Sequence, residues 1–109
     1  MKKIVGGVVV LLAVLFTGLA LAGKPVIIDV RTDAEYNSGH LQGALHMQHD
    51  KIGSLIAQQV PDKDTDILLY CRSGHRAGIA KKTLDSLGYT SVTNGGGLKD
   101  LVGKYPFAE

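Results

Sequence analysis

Two short runs, Val26-Ile27-Ile28-Asp29-Val30 and Asp66-Ile67-Leu68-Leu69-Tyr70, do most to limit the folds open to this chain. Neither alternates polar with apolar, so neither suits a strand with one wet face; each predicts a strand buried on both sides. Such strands belong in parallel sheets covered by helices. Helical signals lie between and after them. Thr32 and Asp33 can cap a short helix over Ala34 to Asn37 that stops near Ser38-Gly39. Ile52, Leu55, Ile56 and Gln59 recur at helical spacing ahead of Pro61, and Ile79, Ala80, Thr83, Leu84 and Leu87 do so ahead of Gly88. A brief strand is expected at Ala44-Leu45-His46 and a third at Ser91-Val92-Thr93. Asn94 to Gly97 reads as a turn and Leu98 to Val102 as a closing helix. The alternation predicts an α/β domain with a mainly parallel sheet flanked by helices on both faces. Ile79, Leu84 and Leu87 are expected in its core.

The first two dozen residues have a different pattern. Met1-Lys2-Lys3 is a basic start, no charge occurs from Ile4 to Ala22, and Ala20-Leu21-Ala22 has the small residues of a cleavage site. Residues 1–22 therefore read as a signal peptide and 23–109 as the folded domain, which would then lie outside the cytoplasm. The alternative is an uncleaved anchor, since the apolar run is long enough to span a bilayer. Of the twelve Lys and Arg, Lys2 and Lys3 fall in this segment, which leaves ten against ten acidic residues. A neutral domain offers no basic face for nucleic acid.

The chain has one cysteine, so no internal disulfide is available. Cys71 stands where the second apolar run ends, and Arg72-Ser73-Gly74-His75-Arg76-Ala77 come next before a helix begins. Loop amides, a helix N-terminus and guanidinium groups all favour a thiolate over a thiol. Gly74 lets the backbone turn so that amides from Arg72 to Ala77 can curl around the sulfur. Arg72 and Arg76, charged at any working pH, suit an oxyanion substrate. The carboxyl ends of parallel strands form ligand clefts, and Asp29-Val30-Arg31 falls at such an end as Cys71 does. Asp29 and Arg31 are expected either to form a buried pair that supports the site or simply to fix the strand end.

Ile28-Asp29-Val30-Arg31, Glu35-Tyr36 and Gly39-His40-Leu41-Gln42-Gly43-Ala44 resemble the N-terminal signature of rhodanese-type sulfurtransferases. Tyr70-Cys71-Arg72-Ser73-Gly74-His75-Arg76-Ala77 resembles their active-site loop, and Leu87 to Val92 and Gly95-Gly96-Gly97-Leu98 resemble the segments C-terminal to that loop in the family. With the apolar leader, the likeness is to the small periplasmic members of the phage-shock type. It implies a rhodanese fold and a ping-pong reaction in which the Cys71 thiolate takes the outer sulfur of thiosulfate, releases sulfite and holds a persulfide. A nucleophilic acceptor, cyanide or a thiol, then removes the sulfur. Arg72, Ser73, Gly74, His75 and Arg76 would bind the donor. No metal and no cofactor are implied, and a membrane enters only if the leader is retained as an inner-membrane anchor facing the periplasm. The spacing Cys71-x4-Arg76 is the shorter loop of sulfur acceptors, whereas related phosphatases and arsenate reductases carry one residue more. After Ala44 this chain has His46-Met47-Gln48 in place of the Asn-Ile-Pro-like stretch usual in the family.

The histidines His40, His46 and His49 lack the partners of a recognisable metal-ligand spacing. The triple glycine lacks the Gly-Lys-Ser/Thr ending of a phosphate loop.

Overall fold

The computed structural model describes residues 24–108, so the proposed leader lies outside it. The buried runs form β1 (Val26–Asp29) and β4 (Ile67–Cys71), which pair in parallel with Ile28 beside Leu69 and Asp29 beside Tyr70. Between them come α1 (Asp33–Asn37), β2 (His40–Leu41), β3 (Leu45–His46) and α2 (Ile52–Gln59). After β4 come α3 (His75–Ser86), β5 (Val92–Gly97), α4 (Leu98–Leu101) and β6 (Phe107–Ala108). The main sheet is parallel throughout, in the order β3-β1-β4-β5. β2 and β6 form a separate antiparallel pair.

Every residue of β4 is buried, and the pleat sends its side chains alternately to two cores. Ile67, Leu69 and Cys71 join Ile28, Val30, Met47, Ile52, Ile56, Ala77, Ala80 and Leu84 on the side covered by α2 and α3. Leu68 and Tyr70 join Leu41, Ala44 and Leu101 on the side covered by α4 and the β2 segment. The expected α/β sheet with cover on both faces is present. Cys71 thus begins as an ordinary inward-facing position of a central strand, and its surroundings change only at the strand end.

Two expectations need correction. Asn94 to Gly97 is no turn: β5 continues through Gly97. Between Leu69 and Cys71 the ladder slips, with Leu69 opposite Asn94 and Cys71 opposite Gly97, so β5 holds one extra residue in a bulge. Ile79 and Leu87 are also not core residues, being 42% and 38% exposed. α3 lies on the sheet through Ala77 and Ala80, whose small side chains allow close approach, and only Leu84 of the large residues reaches inward. β2 and β6 are too short to leave a strand pattern in the sequence and were not expected. Among the described residues no helix is long and apolar enough to cross a membrane.

Candidate active site

Parallel pairing sets the carboxyl ends of β1 and β4 side by side, so Asp29–Arg31 and Cys71–Arg76 both lie at the carboxyl end of the sheet. Asp29 is fully buried and Arg31 nearly so. The Arg31 Nε donates to both Asp29 carboxylate oxygens at 3.0 Å, and Nη2 donates to Asp29 Oδ2 at 2.7 Å and to the Gly39 carbonyl at 2.7 Å. The backbone N–H of Arg31 also donates to Asp29 Oδ1 at 2.9 Å. This pair fixes the bend after β1 and ties it to the start of β2.

Cys71 is 1% exposed, and its sulfur accepts a hydrogen bond from the Gly74 N–H at 2.9 Å. Gly74 precedes α3 with φ 102°, a left-handed conformation that suits glycine, and as N-cap it supplies no side-chain acceptor to the helix. The first-turn N–H groups of a helix need such an acceptor. Here the sulfur sits at that helix start, bonded by the N–H of the N-cap residue itself. Burial pushes the Cys71 thiol up, but N–H groups of Ala77, Ser73, Gly74 and Arg76 outweigh it, and the net movement is down. Of the amides expected around the sulfur, that of Gly74 is hydrogen-bonded to it.

The two loop arginines are not equivalent. Arg76 is half-buried and bidentate on Glu35, at 2.7 and 3.1 Å. Arg72 is exposed and, among the described residues, has no ion-pair partner. The unpaired charge at the loop is therefore that of Arg72, while Arg76 clamps the loop to α1. Ser73 and His75 are exposed, with no side-chain hydrogen bond among the described residues, and His75 opens α3. His46 stands in the altered stretch, where its Nε2 bonds the Arg31 carbonyl at 2.8 Å, and its ring stacks on Tyr36, which stacks in turn on His40. Met47 is buried in the core.

Glu35 has a second task. It completes a reciprocal cap with Thr32, accepting from the Thr32 N–H at 3.1 Å while Thr32 Oγ1 accepts from the Glu35 N–H at 3.2 Å. The guanidinium of Arg76 is the chief cause that pulls the Glu35 carboxyl down to about 2. A depressed carboxyl stabilises the fold fully above its unfolded pKa, and that stabilisation fades as pH falls toward the folded one. Glu35→Gln keeps a cap acceptor and removes the charge. It should cost about 1 kcal/mol at neutral pH. The gap to wild type, measured by denaturant unfolding, should hold down to about pH 5 and close below it. A gap that does not depend on pH would show that the ion pair adds nothing.

Asn94 and Gly97 were not among the expected site residues. Asn94 Nδ2 donates to the Gly74 carbonyl at 2.9 Å and its Oδ1 accepts from the Gly96 N–H at 2.9 Å, so one side chain joins the bulge to the cysteine loop. At Gly97 a Cβ would overlap the Arg72 carbonyl oxygen and lie 2.8 Å from the carbonyl carbon. The Gly97 N–H is held by Asp100 Oδ2 at 2.8 Å. The only sequence signal was the glycine run itself, whose spacing to the loop is set by tertiary packing.

A cavity of about 690 Å³ opens beside the loop, lined by Arg31, Arg72, Leu98, Lys99, Val102 and Phe107. No cluster of His, Cys, Asp and Glu suited to a metal occurs among the described residues.

Comparison with known proteins agrees with this arrangement. Residues 17–102 match the Rhodanese-like domain family. The chain is 43% identical over 74 residues to the thiosulfate sulfurtransferase PspE of Escherichia coli K12, covering 68% of this chain and 71% of that one. It is 29% identical to the thiosulfate sulfurtransferase GlpE of Tolumonas auensis, covering 74% of this chain and 76% of that one. Among solved structures, a rhodanese with anions from E. coli superposes with a TM-score of 0.74 at 39% identity, over 78% of this chain and 98% of that one. Family match, parallel sheet and a cysteine loop closed by backbone amides lead to one assignment: the chain belongs to the rhodanese-like family and is a sulfurtransferase.

Proposed function

We propose that the enzyme moves the outer sulfur of thiosulfate to a nucleophilic acceptor, with Cys71 as the carrier and its domain at residues 23–109. The observation that carries this reading is the buried Cys71 sulfur bonded by the Gly74 N–H at the N-terminus of α3, with its thiol drawn down by the loop N–H groups. In the first half-reaction the thiolate attacks the outer sulfur of thiosulfate. A sulfur–sulfur bond forms to Cys71, the bond within thiosulfate breaks, and its electron pair leaves with sulfite. The persulfide anion keeps the charge that the thiolate had, so the same amides serve both states.

In the second half-reaction cyanide attacks the outer sulfur and departs as thiocyanate, and the electron pair of the broken bond restores the Cys71 thiolate. A thiol acceptor leaves as a persulfide in the same way. Arg72, beside the exposed side chains of Ser73 and His75, faces the sulfonate of the donor. Arg76 acts through the loop it braces, because Glu35 already occupies its guanidinium. The relatives named as thiosulfate sulfurtransferases support thiosulfate as donor. The basic, apolar and small-residue pattern of residues 1–22 supports export, in a bacterium to the periplasm.

Incubation with thiosulfate and then intact-mass measurement should show the added mass of one sulfur atom per chain, located on the peptide containing Cys71. Cyanide should remove it with release of one thiocyanate. A protein that stays unmodified at saturating thiosulfate rules the mechanism out.

A further inference from the structure

The cysteine loop is gripped by two side chains that lie outside it. Glu35 takes Arg76, and Asn94 of β5 takes Gly74. Gly74 matters most to the sulfur. Its N–H bonds Cys71 Sγ at 2.9 Å, and the backbone there has φ 102° and ψ −13°. Glycine enters that left-handed region freely, and by the same freedom it can leave it. The contacts of its carbonyl therefore decide whether the N–H stays aimed at the sulfur. That carbonyl accepts from the Gly78 N–H and from Asn94 Nδ2, each at 2.9 Å. The Gly78 bond is the opening bond of α3, which any helix start would have. The Asn94 bond is, among the described residues, the one side-chain hydrogen bond between β5 and the loop.

Asn94 suits this task in three ways. Its Oδ1 accepts from the Gly96 N–H at 2.9 Å, so the amide is held at both ends. A carbonyl on one side and an N–H on the other leave it a single orientation. Its neighbours are also glycines: a Cβ on Gly78 would lie 3.5 Å from Asn94 Nδ2, and one on Gly74 would lie 3.3 Å from Gly96 Cα. Finally, Asn94 opens the slipped stretch of the ladder, opposite Leu69, while Cys71 is opposite Gly97. The side chain is exposed, so shortening it removes these bonds and no core packing.

We propose that Asn94 is a positioning residue for sulfur transfer: its side-chain amide pins the Gly74 carbonyl to the β5 bulge, and this keeps the Gly74 N–H on the Cys71 sulfur. It rests on the reading of Cys71 as the sulfur carrier and adds a residue that touches neither donor nor acceptor.

Alkylation of Cys71 by iodoacetamide across a range of pH reads the thiolate and needs no turnover. Asn94→Ala and Asn94→Asp should each raise the alkylation midpoint by about half to one pH unit, the scale of one hydrogen bond. Asn94→Asp keeps the size of the side chain and the acceptor for Gly96, and loses the donor to Gly74. The ionisable groups about the loop, Asp29, Arg31, Glu35, Arg72, His75 and Arg76, are untouched in Asn94→Ala, so its shift traces to the lost bonds. In a ping-pong reaction kcat/KM for thiosulfate reports the first half-reaction alone. In both variants it should fall by about threefold to tenfold below the midpoint and recover above it. Thr93→Ala, at an exposed neighbour with no side-chain hydrogen bond among the described residues, should change neither quantity. If Asn94 only shaped β5 through Gly96, Asn94→Asp would alkylate like wild type. An unmoved midpoint in either variant overturns the assignment, whatever happens to the melting temperature. Alkylation judges Asn94 even if thiosulfate leaves the chain unmodified, a result that would instead remove the persulfide reading.

Discussion

Cys71→Ser should fold, unfold cooperatively near the wild-type temperature, and have no measurable sulfur transfer, a loss of about 10⁴-fold or more. The serine hydroxyl can occupy the same position and still accept the Gly74 N–H, so the loop keeps its partner. What it lacks is the anion. The amides that draw the thiol down by hydrogen bonding have far too little reach to ionise an alcohol, and an oxygen cannot serve as the reversible sulfur carrier. The buried position limits the structural cost to about 1–2 kcal/mol, from a more polar atom in a site 1% exposed. Thiocyanate release from thiosulfate and cyanide measures the loss, and intact mass checks that no sulfur is taken up. Turnover within tenfold of wild type would remove Cys71 from the mechanism.

Gly97→Ala should have the largest effect of any substitution that leaves the reacting groups in place. The added methyl would overlap the Arg72 carbonyl oxygen and crowd the Ser73 nitrogen at 3.3 Å. These are backbone atoms of the loop that holds the sulfur, so no side chain can swing aside. The backbone of Gly97 itself is ordinary extended chain, so the effect is steric. Overpacking of this kind costs about 1–3 kcal/mol, and a loop displaced by about 1 Å costs about 100-fold in rate. The expected result is a protein that melts several degrees lower, with kcat/KM for thiosulfate down about 100-fold. Alkylation by iodoacetamide should require higher pH than in wild type, because the amides no longer converge on Cys71. Gly103→Ala, where a methyl meets nothing within 4 Å, is the matched control and should change neither. An unchanged alkylation profile in Gly97→Ala would mean that the loop does not depend on β5.

Parts of this architecture are legible in the sequence alone. The apolar runs at Val26 and Ile67 announced strands buried on two faces, and Cys71 at the end of one of them announced the loop. Local chemistry fixed those features, and local chemistry is what a sequence displays. Asn94 to Gly97 misled for the opposite reason. Glycines are the usual residues of turns, yet here they let one backbone press against another, and that need arises only when β5 lies beside Cys71. α3 misled similarly: periodicity favoured Ile79 and Leu87, but the tight approach to the sheet selected Ala77 and Ala80. Arg76 had the right composition for an anion ligand. Its partner Glu35 lies 41 residues away in sequence, and no spacing rule would have joined them.

The bulge in β5 also affects what the sheet can do with its neighbours. β5 and β3 are the edges of the sheet, and an open edge offers unpaired N–H and C=O groups to a strand of another molecule. β3 is only two residues long, too short to template an added strand. β5 is six residues long, but its ladder slips beside Cys71, and its last three residues carry no side chains to interlock with an incoming strand. The irregularity that seats the cysteine loop therefore blunts the longer edge as well. A change that straightened β5, by replacing its glycines with β-branched residues, would expose the protein to edge-to-edge aggregation at the same time as it unseated the nucleophile.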